Sequence, residues 1–578
     1  MSTSSKRNTY EHVGCAEAST SNRGEISVRR GRSGFSLCVA LAILLLSGCA
    51  VGPDFATPAA PPDAGYVRGK LQSATQSAPL AGGAAQKIVL GGDAPGEWWK
   101  LFRSKQISAL VAEAIENHPN IAAAEAALRQ ARETMESDAA SFLPQATASQ
   151  SVTRQQATTA EYGGLTSSSS GSGSSSSSGS GSSTPSTVLY TLHNTNVAVS
   201  FTPDVFGKTA RTVEGDAAAA EYQRFQLEAT YLSLTANVVA AAITDASYAS
   251  QIKVTRDLIS AYRTQLDILE KRFQLGAITA ADVLSERAQL AQAEATLPPL
   301  EKARAQTRNQ LMAYLGRLPN ADKGEAADLE NLHLPQDLPL SLPSDLVRQR
   351  PDIRAAESQL HQASADVGVA TANMLPQITL SASGGSQAGN FTQLFTPQTA
   401  AYSLAASASG QVFDGGALFH KREATVAALA KADAQYKATV ISAFQNVADA
   451  LQAIKQDAAT LRSQAAAEKA AAQSLEVARV QYQAGSTTYT TVLNAEQTLL
   501  NARLNRVKAQ ASRFSDTTAL LQALGGGWWN RVDETPASQP KPTDLISMAP
   551  IAAAVRAQAE DAANGVIAES SQNPTLRR

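Results

Sequence analysis

Met374-Leu-Pro-Gln-Ile-Thr-Leu-Ser-Ala-Ser383 and Phe142-Leu-Pro-Gln-Ala-Thr147 carry the same signal, 232 residues apart. In each, a proline (Pro376 or Pro144) stops a helical pattern and a period of two takes over. Ile378, Leu380 and Ala382 fall on one face, and Gln377, Thr379 and Ser381 on the other. That alternation predicts an amphipathic strand. A second strand follows each after a loop. Asn196-Val-Ala-Val-Ser-Phe201 alternates in the first copy; in the second, Tyr402, Leu404, Ala406, Ala408 and Val412 oppose Ser403, Ser407, Ser409 and Gln411.

Outward from these strands the rest of the chain also matches itself. His118-Pro-Asn-Ile121 answers Arg350-Pro-Asp-Ile353 at the same 232-residue offset. Phe273-Gln-Leu-Gly276 answers Tyr482-Gln-Ala-Gly485, and Leu315-Gly316 answers Leu524-Gly525, both at 209. The shorter offset requires about 23 extra residues in the first copy, and the Ser/Gly tract at about 163–187 supplies them. A tract of that composition buries no apolar area and is expected to be a flexible inserted loop. Four ordered matches make this a duplicated architecture.

The helical parts repeat as well. An Ala-rich helix carrying Leu110, Ala114, Ile121 and Leu128 precedes the first strand pair. After the strands, Phe206 to Arg272 contains no proline, and its glycines, Gly207 and Gly215, lie near its start. A helix of that length spans roughly 90 to 100 Å. The stretch at about 417–483 is its counterpart. Gly276 and Gly485 suit left-handed helix ends. Returning helices are then expected at Asp282 to Tyr314 and Thr491 to Leu524, with Pro298-Pro299 kinking or breaking the first.

Composition narrows the function classes. Net charge is −2 over 578 residues, so no basic field invites nucleic acid. Cys15, Cys38 and Cys49 are the three cysteines, all near the start. The six histidines have no metal-ligand spacing, and no HExxH, GxSxG or Walker pattern is present. No enzyme, cofactor or metal is expected.

Near the start, Arg29, Arg30 and Arg32 precede an apolar core, Phe35 to Leu46, followed by Ser47-Gly48-Cys49. This is the pattern of a signal peptide. Leu46-Ser-Gly-Cys49 resembles the bacterial lipobox, which implies acylation of Cys49 and cleavage before it; a plain secretory signal with an incidental cysteine is the alternative. Ala50 in place of an Asp retention signal implies the outer membrane. Residues 1 to 28 are long for an n-region, which makes Val28 a candidate initiator.

The mature chain has no apolar run of 18 residues, so no helix is expected to cross a bilayer. A closed β-barrel is the other way to span one. Four strands per chain cannot close a barrel, since about eight or more are needed. The strands therefore join those of other chains, or they form a small sheet on a periplasmic helical rod tethered at Cys49.

At this point the residues resemble the TolC-like outer-membrane efflux factors, and among them the lipidated NodT-type branch. Leu46-Ser-Gly-Cys49 with Val51-Gly-Pro-Asp-Phe55, Trp98-Trp99, Asn117-His118-Pro119, Arg350-Pro-Asp-Ile-Arg354, the paired Leu-Pro-Gln strand starts, Val412-Phe-Asp-Gly-Gly416 and Ala523-Leu-Gly-Gly-Gly-Trp528 carry the resemblance. It implies an α+β membrane protein: a homotrimer whose 12-stranded β-barrel, four strands per chain, continues into a long periplasmic α-helical tunnel. The implied partners are outer-membrane lipid, a periplasmic adaptor (membrane fusion) protein and an inner-membrane resistance-nodulation-division pump. The implied function is passive exit of small toxic compounds; a duct for type I protein secretion and a non-channel scaffold are the alternatives. The expected organisation is a signal peptide at 1–48, a lipidated arm at 49–97, repeats at 98–318 and 341–528 joined by a linker at 319–340, and a polar, poorly ordered tail at 529–578. Trp98-Trp99, Trp528-Trp529 and His118 are expected to be structural.

The resemblance further implies a periplasmic tip at Gly276 to Asp282 and Gly485 to Asn494, where gating and docking occur. Asp282 matches an acidic position common in the family; Asn494 stands where many members have Asp, and Thr490 where some place a leucine. Asp282 is also well placed to cap the returning helix.

Overall fold

The computed structural model describes residues 50–60, 65–67, 69, 73–158 and 187–531. The expected signal peptide, Cys49, the Ser/Gly tract up to residue 186 and the tail from 532 onward lie outside the described residues.

Each half of the chain runs through the same elements. In the first, α1 (Lys105–Asn117) and α2 (Pro119–Ala139) lead to strands β2 (Gln145–Thr158) and β3 (Thr187–Phe201). Then come α3 (Lys208–Gln274) and α4 (Ala280–Tyr314). In the second, α5 (Pro343–Gln349) and α6 (Pro351–Ala372) lead to β5 (Gln377–Ala388) and β6 (Ala400–Ser409), then α7 (Ala417–Gln483) and α8 (Tyr489–Ala523). The long helices both have 67 residues and the returning helices both have 35. At 1.5 Å per residue α3 and α7 are each about 100 Å long.

A 35-residue return covers about half that length. The other half is covered by the helix that leads into the strands. Where α4 ends, Gly316 lies against the Asn117 carbonyl at the close of α1. Where α8 ends, Arg350 Nη1 donates to the Ala523 carbonyl at 2.9 Å, just before α6 begins. Helix α2 then continues alongside α3, and α6 alongside both α3 and α7. Each long helix is thus flanked by two shorter ones set end to end.

Two expectations need correction. The Ala-rich helix is broken at His118, whose ψ of 122° is extended. Pro119 forbids the helical conformation at the residue before it, and His118 Nδ1 accepts the Asn120 amide at 3.1 Å to start α2 afresh. Of the kink or break expected at Pro298-Pro299, the break does not occur: α4 runs unbroken through both. The carbonyls left without intrahelical donors belong to Glu294 and Ala295, and both prolines are exposed. The returning helices also start two residues earlier than expected.

The strands form one antiparallel sheet in the order β2-β3-β5-β6. Its register aligns the alternation across all four. Val197 faces Ala148 and Gly384, Val199 faces Ala146 and Ala382, and Ala382 faces Leu404. One side therefore carries Val152, Val199, Leu380, Tyr402 and Leu404, and the other Ser149, Asn196, Ser381 and Ser403. Both sides are solvent-facing in the single chain, with Tyr402 85% and Leu404 75% exposed.

The arm at 49–97 does not simply extend. Its β1 (Lys87–Leu90) pairs in parallel with β4 (Asp337–Leu340), which lies in the expected linker. Arg513 on α8, fully buried, donates to the carbonyls of Gly82 and Ala84 and to Thr75 Oγ1. Burial lowers its pKa to about 10, against the pull of Asp457. Nearer the sheet, the Val51 amide donates to the Phe206 carbonyl at 3.3 Å and Phe55 stacks on His361 at 4.3 Å. A Cβ on Gly52 would stand 2.4 Å from the Gly368 Cα, so the arm crosses α6 at a distance that glycine alone allows.

The main core gathers Trp98, Trp99, Phe102 and Leu110 with Val239 and Ile243 of α3, Leu311 and Met312 of α4 and Phe514 of α8. Trp528 and Trp529 are half-buried; their indoles donate to the Gln349 carbonyl and to Asp93 Oδ1. All four tryptophans thus pack against or bond to the protein's own elements. One stretch of α3 is long and apolar enough to cross a membrane, and half of it is buried against the protein's own elements.

Candidate functional site

The two hairpin turns, at the ends of α3 and α7 furthest from the sheet, hold the residues singled out in the sequence. Gly276 has φ +71° and Gly485 φ +70°, with open space where a Cβ would stand. Around each, the chain closes in the same way. Ala277 donates to the Arg272 carbonyl and Gly276 to that of Phe273; Ser486 donates to Gln481 and Gly485 to Tyr482. This six-to-one, five-to-two pattern requires a left-handed residue, which is why both turns have glycine there.

The first turn is tied further. Thr279 is the N-cap of α4, and Asp282 returns the bond: Asp282 Oδ2 accepts from the Thr279 amide at 3.2 Å and from Thr279 Oγ1 at 2.8 Å. Asp282 is therefore part of a capping box. Thr488 holds the equivalent position on α8 and makes no side-chain cap. Thr490 and Asn494, one turn apart, are both exposed, while Tyr489, Val492 and Leu493 point inward.

Between the hairpins lies an apolar cluster of Leu269 and Val283 from the first with Leu475, Tyr489, Val492 and Leu493 from the second. Inside it sits a polar group that the sequence reading missed. Glu286 of α4 is fully buried, and Tyr489 of α8 donates to its Oε2 at 2.7 Å. Glu496, 6% exposed, pairs with Arg479 of α7 at 2.8 Å. Glu286 Oε1 and Glu496 Oε2 have no hydrogen-bond partner. Burial, with the charge of Glu496 added, pushes Glu286 up to about 7 against the opposing Tyr489 bond. Burial likewise raises the Tyr489 phenol, and that of Tyr262 to about 12. The signal was present in the sequence: Val283, Leu290 and Ala293 mark the inner face of α4, and Glu286 falls on it.

No group of three or more metal-ligating side chains occurs among the described residues. What the arrangement offers instead is a two-faced sheet joined to helical hairpins about 100 Å long.

Known proteins share this design. The sequence model for outer membrane efflux proteins matches residues 110–317 and 342–526. The toluene efflux pump outer membrane protein TtgC of Pseudomonas putida is 26% identical over 424 residues, covering 72% of this chain and 80% of TtgC. Nodulation protein T of Rhizobium leguminosarum bv. viciae is 26% identical over 439 residues, covering 74% and 80%. Among solved structures, the outer-membrane channel OprN aligns with a TM-score of 0.71 at 26% identity, over 83% of this chain and 100% of that one. The outer membrane protein VceC of Vibrio cholerae aligns at 0.66 and 25%, over 75% and 100%.

Proposed function

Because this chain belongs to the outer membrane efflux protein family, we propose that three copies of it assemble into one continuous duct. The protein is the outer-membrane channel of a tripartite efflux system, with a helical tunnel in the periplasm. In the proposed assembly each chain contributes its four strands to a twelve-stranded barrel, and α3, α4, α7 and α8 with their neighbours wall the tunnel.

The sheet carries this reading. A four-stranded sheet with one apolar and one polar side, both bare, has no stable place in water. Its outer strands, β2 and β6, each pair on one side. Joining three such sheets edge to edge removes every open edge. It also turns Val199, Leu380 and Leu404 toward lipid and Ser149, Asn196 and Ser381 toward the pore. Strands of 10 to 15 residues are long enough for a tilted crossing.

Acylation of Cys49 anchors the arm to the outer-membrane lipid. The docking of Val51 and Phe55 beside the start of α3 supports a lipid attached at the barrel–tunnel junction. The hairpin turns form the periplasmic mouth, where Gly276 and Gly485 shape the ends and Asp282, Thr490 and Asn494 line or support the aperture. There the tunnel meets a periplasmic adaptor and, through it, a resistance-nodulation-division pump, which supplies the energy. The cargo is small organic compounds, a class to which the toluene in the name of TtgC belongs.

Mass measurement of the full chain in mild detergent, followed by planar-bilayer recording, tests the proposal. The expected result is a trimer, acylated at Cys49, that conducts. A monomer without conductance overturns it.

A further inference from the structure

We propose that Glu286, Tyr489 and Glu496 form a proton-operated latch between the two hairpins, closed when Glu286 is protonated and loosened when it is ionised. Its effect on transport rests on the reading of these turns as the tunnel mouth; the latch itself rests on the cluster's geometry.

Three observations support it. First, the contact bridges hairpins: Glu286 lies on α4, Tyr489 and Glu496 on α8, and the Tyr489–Glu286 bond is buried. The Gln289–Gln497 amide bond at 2.5 Å crosses between the same two helices. Second, two carboxyl groups each keep an oxygen that is buried and without a partner. A full negative charge on both is costly in that setting. One proton on Glu286 removes half of that charge and turns an orphaned acceptor into a donor. Third, among the described residues no basic side chain pairs with Glu286. From α3 it is faced by the neutral phenol of Tyr262, while Glu270 of that helix is tied to Arg287. From α7, Arg479 is spent on Glu496, and Tyr482 presents its ring to Tyr489 at 5.2 Å. From α8 come Tyr489 and Glu496 themselves.

The step is a single proton exchange between the Glu286 carboxyl and solvent, with no other bond made or broken. Its direction follows from linkage. The latched state holds the proton more tightly than the parted one, in which Glu286 returns to its ordinary value of 4.5. The stabilisation is therefore complete below pH 4.5 and is lost as the pH rises through about 7.

Hydrogen exchange of the full-length protein in mild detergent, followed on peptides covering 269–290 and 478–498 from pH 5 to 8, tests this. After correction for intrinsic base catalysis, exchange in both peptides is expected to rise roughly 70-fold across that range. The core peptide around Trp98 to Phe102 stays flat. Glu286→Gln removes the slope and leaves the hairpins closed. A wild-type protein without the slope, or Glu286→Gln with the slope intact, overturns the latch. Glu496→Gln offers a second reading, with the midpoint moving to lower pH as the like charge disappears; an unmoved midpoint overturns the proposal. Bilayer conductance of the same samples separates the two claims. Conduction without the slope removes the latch and keeps the channel, and a slope without conduction does the reverse.

Discussion

The turn between α3 and α4 and the turn between α7 and α8 share one backbone and differ in what ties it down. The N-cap residues, Thr279 and Thr488, have nearly identical conformations, with φ −86° and −83° and ψ 156° in both. At the first turn Asp282 completes a capping box and puts a negative charge where the helix dipole favours it. At the second, Thr491 occupies that position; its hydroxyl accepts from Thr487 Oγ1 at 2.9 Å and meets Thr488 Oγ1 at 3.4 Å, with no charge added. Arg–Glu pairs join the helices of both hairpins: Arg256–Glu301, Arg263–Glu294 and Arg287–Glu270 in the first, and Arg479–Glu496, Arg503–Glu468 and Arg506–Glu468 in the second. Those of the first hairpin are exposed and each contributes little alone. The duplicated fold thus keeps its geometry through glycine and apolar packing, while the local fastening has diverged. The second turn lacks the capping box, and it presents Thr490 and Asn494 to the outside.

That contrast can be broken most severely through the packing the hairpins share. Leu269, fully buried among residues of both, is expected to cost about 3 kcal/mol when changed to Ala. Faster hydrogen exchange in both turns together would reveal it, whereas a change confined to the first turn would show that the hairpins open independently. Next in size is Asn494→Asp. In the proposed trimer it adds three carboxylates to the mouth, and block of the channel current by divalent cations should strengthen about tenfold. Unchanged block would place Asn494 away from the conduction path.

Gly276→Ala and Gly485→Ala should each cost about 1 kcal/mol, and equally, since both turns have the same φ and open space around it. Unequal costs, read from exchange in the flanking helix ends, would mean that something besides backbone strain differs between them. Thr279→Ala is expected to lose about 1 kcal/mol from the first turn of α4, and Thr488→Ala only a few tenths from α8. Equal effects would contradict the difference in capping.

Local reasoning located those elements whose causes are local. Gly276 and Gly485 mark turns because a left-handed residue is needed at one position. The strands at Gln377 and Ala400 were legible because a period of two is visible in any short window, and the absence of proline announced the long helices. Reasoning failed where a distant partner decides. Pro298-Pro299 reads as a kink or a break, yet α4 continues through it with both prolines on an exposed face. Nothing near Lys87 or Asp337 signals that these segments pair, since a parallel ladder between residues 250 apart leaves no trace in either. Glu286 falls on the inner face of α4, but its burial against Tyr489 is decided only when α8 closes over it.

The sequence by itself determined the duplication, the strand and helix positions, and the alternation that gives the sheet an apolar and a polar side, because propensity and periodicity act within a few residues. Only the tertiary structure decided the end-to-end stacking of the short helices, the docking of the arm on Arg513 and the burial of two carboxyl groups between the hairpins. Those depend on which surfaces meet across hundreds of residues. The energy of a buried charge is set by what surrounds it in space, not by its neighbours along the chain.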